Sequence, residues 1–465
     1  MASNISRKIS INSIFDYVPR SLRRLPEISN HYVTVGINGI TETNTDGVIT
    51  HFMFKNNGVT EKRQIQYAVE WLKKHADLTY ASIYINHACD ATKSHECICF
   101  QEIIEALGIN HHRLRYLVLA QEAFISNPSN LQNYLINSAL ETLVITYYAF
   151  NKQRETEEGI ATLIRTSKHL RRLSLTNCSF SGIGMIKING SLANNTLLER
   201  LEFVGSRRDA DAPRLDRIQF ADDCALLLST MTRHLGLQSI NLRKTPTHAT
   251  FMTMVNLALS SRLKSINISG INVPCIILEK FLETLDTTCA LTHLDISENH
   301  ITPQTINMIG SMIRLNLKIK HLVMDKMLLV RRDGDFHINA TPNVDTEIKQ
   351  EFLRAFDFLA RCLATNTRLE RLDFEGYGET LYRWREFPDN PISLVISCLH
   401  KNRGLRHLSL GKDEINNGVF DCIVDALQNN AGYLKKLHIY KHRLGADQIR
   451  SLIRMAEIFG FRVIF

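Results

Sequence analysis

The sequence predicts an α/β solenoid, a horseshoe with a parallel sheet on its concave side and helices on its convex side. Three observations predict it. The pattern Leu-x-x-Leu-x-Leu recurs through most of the chain, its central residues recur at a step near 28, and apolar residues at helical spacing fill the intervals. At 465 residues the chain exceeds the size at which one compact core keeps growing, which favours an elongated array over a single globule.

Residues 1–30 come first. Arg7, Lys8, Arg20, Arg23 and Arg24 lie among Ile, Phe and Leu, and Pro19 interrupts any single helix, so this basic segment is expected to cap the first unit. The alternative is a basic amphipathic helix on anionic lipid. The stretch lacks the apolar block of a secretory signal, and no apolar run reaches the roughly 18 residues of a membrane span. Of the ten cysteines, Cys224, Cys362, Cys398 and Cys422 fall at apolar-pattern positions, as reduced core residues do. A cytoplasmic protein without a membrane span is expected.

The array itself is expected over 31–465. Weak copies, Tyr32-Val35-Ile37, Ile49-Phe52-Phe54 and Tyr80-Ile83-Ile85, open it. Eleven clear copies follow, with central residues at 117, 143, 173, 201, 240, 266, 294, 322, 372, 408 and 437. The steps between them are 26, 30, 28, 39, 26, 28, 28, 50, 36 and 29, and the long ones place insertions near 326–366 and 375–391. The second and third apolar residues of each copy are two apart, so on a strand they share one face and bury together. Thr245-Pro246 and Thr302-Pro303 each place Thr at a helix N-cap and Pro at the first helical position. Ile306, Ile309 and Ile313, like Phe420, Ile423 and Leu427, repeat at helical spacing. Val463 and Phe465 read as a closing strand. Because a helix is wider than a strand, stacking such units curves the array and turns the strands inward.

The strand motif, the step and the full helix in each unit resemble the ribonuclease-inhibitor class of leucine-rich repeats. Leu291-Thr292-His293-Leu294-Asp295-Ile296-Ser297-Glu298-Asn299 is the best-matched copy, and the resemblance implies that Asn299 ladders the turn after the strand. Arg243–Thr245, Asp325–Met327 and Gly411–Asp413 depart at that position, so their turns are expected to be held differently. The resemblance implies partner binding. In overall look the irregular repeats, rich in Asn, Ile and Lys, also resemble effectors that intracellular bacteria deliver into host cells, which would place the chain in the host cytoplasm.

Residues flanking each central apolar residue are expected to face the hollow. The column before it includes Arg172, Arg200, His293, His321, Arg371, His407 and Lys436, and the column after it includes Asp295, Asp373 and His438. Bases and acids mix there, as suits a protein partner, whereas nucleic acid would call for more bases and fewer acids. A solvated face of mutually neutralising charges is the bland alternative. The insertions add Val330-Arg331-Arg332-Asp333-Gly334-Asp335-Phe336-His337-Ile338, which reads as a hairpin, and Tyr382, Arg383, Trp384 and Arg385, residue types that dominate interface energetics.

Chemistry finds little support. His87, Cys89, His95, Cys97 and Cys99 are metal-like in type, but the alternate-residue spacing differs from zinc knuckles, so no metal and no cofactor are expected. No phosphate-cradling Gly-rich loop, Gly-x-Ser-x-Gly elbow or His-Glu-x-x-His helix occurs. Ran GTPase-activating proteins use similar repeats and an arginine, but no Arg here matches that role by motif. The expectation is a monomeric, non-enzymatic protein-binding scaffold. A regulator of a small GTPase or of ubiquitin transfer is the alternative.

Overall fold

The computed structural model describes residues 33–36, 39–42, 51–56, 62–74, 80–85, 106, 114–120, 139–146, 154–178, 180–205, 222, 224–231, 234, 236–245, 253, 256, 262–285, 290–316, 318–330, 346–376, 391–410, 415, 417–429, 433–439 and 444–465. The strands in chain order are β1 (Val33–Gly36), β2 (Gly39–Glu42), β3 (His51–Asn56), β4 (Tyr80–Ile85), β5 (Tyr116–Ala120), β6 (Thr142–Thr146), β7 (Arg172–Thr176), β8 (Arg200–Val204) and β9 (Ser239–Asn241). They continue as β10 (Ser265–Asn267), β11 (His293–Asp295), β12 (His300–Ile301), β13 (His321–Val323), β14 (Leu328–Leu329), β15 (Arg371–Asp373), β16 (His407–Ser409), β17 (Lys436–His438) and β18 (Arg462–Ile464).

Sixteen of these form one sheet in the order β2-β1-β3-β4-β5-β6-β7-β8-β9-β10-β11-β13-β15-β16-β17-β18. Pairing is parallel except between β1 and β2. Consecutive units therefore lie side by side, joined by helices on the other layer, which is the construction of a repeat solenoid. The register keeps every central apolar residue in one row, for example Ile240, Ile266, Leu294, Leu322, Leu372, Leu408, Leu437 and Val463. Side chains alternate across a strand, so that row and the third apolar residues bury while their neighbours face away.

One hydrophobic core runs from Trp71 to Phe461 between sheet and helices. Phe180 stacks on Phe203 at 5.2 Å between centroids, and Phe356 meets Phe374 edge-on at 6.1 Å. The helix Pro303–Leu315 begins as its sequence predicts: Thr302 caps it, Thr305 returns the bond, and Ile306, Ile309 and Ile313 are buried. Phe420, Ile423 and Leu427 are likewise buried on the helix Asn417–Asn429. The Thr245 hydroxyl donates to the Phe203 carbonyl of the preceding unit. The expected helix start at Pro246 lies outside the described residues.

Half of the expected insertion at 326–366 is regular. Thr346–Thr365 is a 20-residue helix beside the 13-residue Pro303–Leu315, whose Gly310 leaves room for the Phe358 ring. Leu328–Leu329 pairs in parallel with His300–Ile301 as a second, two-stranded sheet that the strand motif does not signal. The hairpin read over 330–338 lies outside the described residues beyond Val330, and residues 1–30 lie outside them entirely.

Two polar ladders bind unit to unit. After seven strands the fourth residue past the central one has a positive φ: Asn177, Gly205, Lys244, Gly270, Glu298, Lys326 and Gly376. Six of these donate their backbone N–H to the next unit, as Glu298 does to the Asp325 carbonyl at 2.9 Å and Lys326 to the Glu375 carbonyl at 2.7 Å. Beside this ladder Asn299 donates to the carbonyls of Ile268 and Ile296, as its family resemblance implies. Thr245 and Cys178 occupy the equivalent place and reach the equivalent carbonyls, Phe203 and Ile145, while Ile271 and Met327 simply bury there. The second ladder lies where each helix turns back to its strand. Asn195, Asn316, Asn366 and Asn402 each stand three residues before the first motif residue, accept from the backbone N–H groups ahead and donate to a carbonyl one unit back. Ser167 accepts from Leu170 at the same place. Gly404 follows Asn402 because a Cβ there would stand 2.5 Å from the Thr367 backbone.

Candidate functional site

The polar face of the sheet is built by strand register alone. Pairing aligns Tyr116, Thr142, Arg172, Arg200, Ser239, Ser265, His293, His321, Arg371, His407 and Lys436 in one column. The adjacent column runs Ser174, Glu202, Asn241, Asn267, Asp295, Val323, Asp373, Ser409 and His438. The ten strand residues read from the sequence thus share one face: Arg172, Arg200, His293, His321, Arg371, His407 and Lys436 in the first column, Asp295, Asp373 and His438 in the second. Tyr382, Arg383, Trp384 and Arg385 lie outside the described residues, as does the loop bearing His87, Cys89, His95, Cys97 and Cys99.

A third column, two residues further along each unit, was not legible in the strand motif, which ends one residue before it. It carries Arg243, Ser269, Ser297, Asp325 and Glu375. Asn267 donates to Asp295 at 2.8 Å, Asp295 accepts from the Ser297 backbone at 3.0 Å, and Ser297 Oγ accepts from the Asp325 N–H at 2.9 Å. Asp325 in turn accepts from the Glu375 N–H at 2.9 Å, Ser409 Oγ donates to Glu375, and His438 Nδ1 stands 3.1 Å from Ser409 Oγ. A second cluster lies in the same columns: Arg371 grips Asp373 through Nε and Nη2, His321 Nε2 lies 3.1 Å from Asp373, and the His321 ring meets His293 edge-on at 5.5 Å.

Charge in this network is unbalanced. Burial, then the carboxylates of Glu375 and Asp373, push Asp325 up to about 8, and burial raises Asp295 as well. Burial also acts upward on Asp373, but bonds from His321 and Arg371 outweigh it and hold that carboxyl below its ordinary range. His407 is held down by burial and by the Arg371 and Lys436 charges.

Charged side chains on the two rims meet opposite charges within the chain. On one, Arg115 pairs with Glu141, Arg171 with Glu199 at 2.6 Å and Lys320 with Glu370 at 2.7 Å. On the other, Glu298 gathers Arg243 and Lys244 at 2.9 Å and Lys326 at 3.7 Å, and these cations outweigh the upward push of burial on its carboxyl. Exposed pairs of this kind contribute little stability individually.

Chemically the network offers hydrogen bonding and charge. Among the described residues no group of three or more His, Cys, Asp or Glu side chains is set to hold a metal ion, and no helix is long and apolar enough to cross a membrane. Cys398 is buried and its thiol is pushed up to about 12, while burial and Glu279 take Cys275 up to about 11.

No protein-family model matches the chain, and no curated protein matches its sequence. Among solved structures, one described as Leiomodin-1 Actin-Binding Site 2 (ABS2) is similar at 15% identity over 39% of this chain and 86% of that one, with a TM-score of 0.28.

Proposed function

We propose that the chain is a leucine-rich-repeat solenoid of the ribonuclease-inhibitor-like class, and that it works as a non-enzymatic scaffold holding a partner protein against its concave face. The observation that carries this reading is the concave register. Eleven consecutive strands, from Tyr116 to Lys436, present an unbroken column of polar and basic side chains beside a second column that carries the acids. Such a surface combines breadth with directional hydrogen bonds, as protein recognition requires. The backbone ladders and asparagines below it keep the columns fixed, which lowers the ordering cost of binding.

The test is affinity capture from lysate with three forms of the full chain. These are the native protein, a concave variant with His407→Glu and Lys436→Glu, and a loop variant with Arg383→Ala, Trp384→Ala and Arg385→Ala. Loss of a bound protein from the concave variant, with thermal stability kept, is the expected result. Identical captures from native and concave forms would end the proposal. Stimulated GTP hydrolysis or altered ubiquitin chains in the same lysate would favour the regulatory alternative.

A further inference from the structure

Within the first concave column, Arg172 and Arg200 differ from four other arginines of the strands and rims. Arg115, Arg171, Arg243 and Arg371 each face a carboxylate. Arg172 and Arg200 stand opposite one another in the β7–β8 register, about 4.8 Å apart as strand neighbours. Neither has a hydrogen-bond or ion-pair partner among the described residues. Burial and then the Arg172 charge hold Arg200 below its ordinary range, and the opposing charges of Glu202 and Glu199 do not outweigh them. The surroundings are polar: Thr142 precedes Arg172 in the column, and Ser174 in the next column donates to Glu202 at 3.1 Å.

Resting on the proposed protein-binding role, we infer that this arginine pair is the anchor for an acidic side chain, Asp or Glu, of the partner protein. A guanidinium presents a planar fork of donors that matches a carboxylate, and two such forks side by side can hold one between them. The charge count selects a carboxylate over a phosphate. Two arginines and the adjacent Glu202 leave a local charge of +1, which one carboxylate neutralises and a dianion would overshoot. The rest of the hollow enforces the position. Asp373, held below its ordinary range, lies with Glu375 five strands beyond Arg200, about 24 Å away, and the two would repel an acidic segment displaced in that direction. The partner's acidic segment therefore lies over β7 and β8.

The experiment is fluorescence anisotropy of a labelled hexaglutamate peptide with the full chain at low salt, where surface charge is least screened. Hexalysine and a phosphoserine peptide of equal length serve as comparison probes. Hexaglutamate is expected to bind best, and Arg172→Gln with Arg200→Gln is expected to weaken it by about tenfold or more, the scale of losing charge-assisted bonds. Arg171→Gln, on the rim and paired with Glu199, is expected to leave it unchanged. Absence of hexaglutamate binding, equal binding by the double variant, or preference for phosphoserine or lysine would overturn the inference. The broader role is tested separately by capture with His407→Glu and Lys436→Glu, which alter neither arginine, so the two can fail independently.

Discussion

Around Arg172 and Arg200 the sheet face holds two cations beside Glu202, neither of them in an ion pair among the described residues, whereas around Asp325 and Asp373 it crowds four carboxylates into three neighbouring units and ties them together with serine, histidine and arginine. The strands beneath are the same parallel ladder in the same register. Scaffold and face are therefore separable: backbone pairing and buried apolar rows fix where side chains stand, and the identity of the outward residue decides whether a group is spent inside the chain or left for a partner.

If both halves share one scaffold, breaking its common parts must hurt both alike. Asn195→Ala and Asn366→Ala each strand a carbonyl and two backbone N–H groups in the interior, and each is expected to cost about 2–4 kcal/mol. Urea denaturation checks this through matching midpoint shifts, and a large loss at one site alone would make the halves unlike in construction. Asp373→Ala comes next, because it leaves Arg371 and His321 without their acceptor. A loss of about 1–3 kcal/mol is expected in the same assay.

Asp325→Asn should go the other way. The folded carboxyl holds its proton up to about 8 against an ordinary 3.8, so the stability it supports is complete below the lower value and declines as pH rises through the window between them. The amide keeps the acceptor for the Glu375 N–H and cannot ionise. A gain on the order of 1 kcal/mol at neutral pH is expected, vanishing near pH 4, as thermal melts across that range would record. Smallest of all, Arg172→Gln and Arg200→Gln should change stability by less than about 0.5 kcal/mol, since neither arginine makes a hydrogen bond or ion pair among the described residues. A substantial loss in calorimetric melts would show that the pair is structural after all.

The repeating part of this molecule was legible because strand alternation has a period of two and needs no distant information. Leu294 and Ile296 bury, His293 and Asp295 turn outward, and the motif says so locally. Asn299 was legible through family resemblance. Asn195, Asn366 and Asn402 were not, since they lie ahead of the motif and the carbonyls they reach are 31 to 53 residues away. The left-handed turn residues gave no glycine signal, because Asn177, Lys244, Glu298 and Lys326 occupy four of the seven places. Asp325 and Glu375 escaped because the apolar pattern stops before their column, and their importance comes from proximity across units rather than from any local pattern. The long helix within the 50-residue step escaped for a simpler reason: step length shows that residues are added, without showing where.

Placing a photo-crosslinking amino acid at Ser265, in the middle of the concave column, and separately at Ile276, exposed on a convex helix, compares the two faces of one unit in a single lysate. The account predicts a discrete crosslinked partner from Ser265, diminished by His407→Glu with Lys436→Glu, and none from Ile276. A partner crosslinked from Ile276 and not from Ser265 would contradict it.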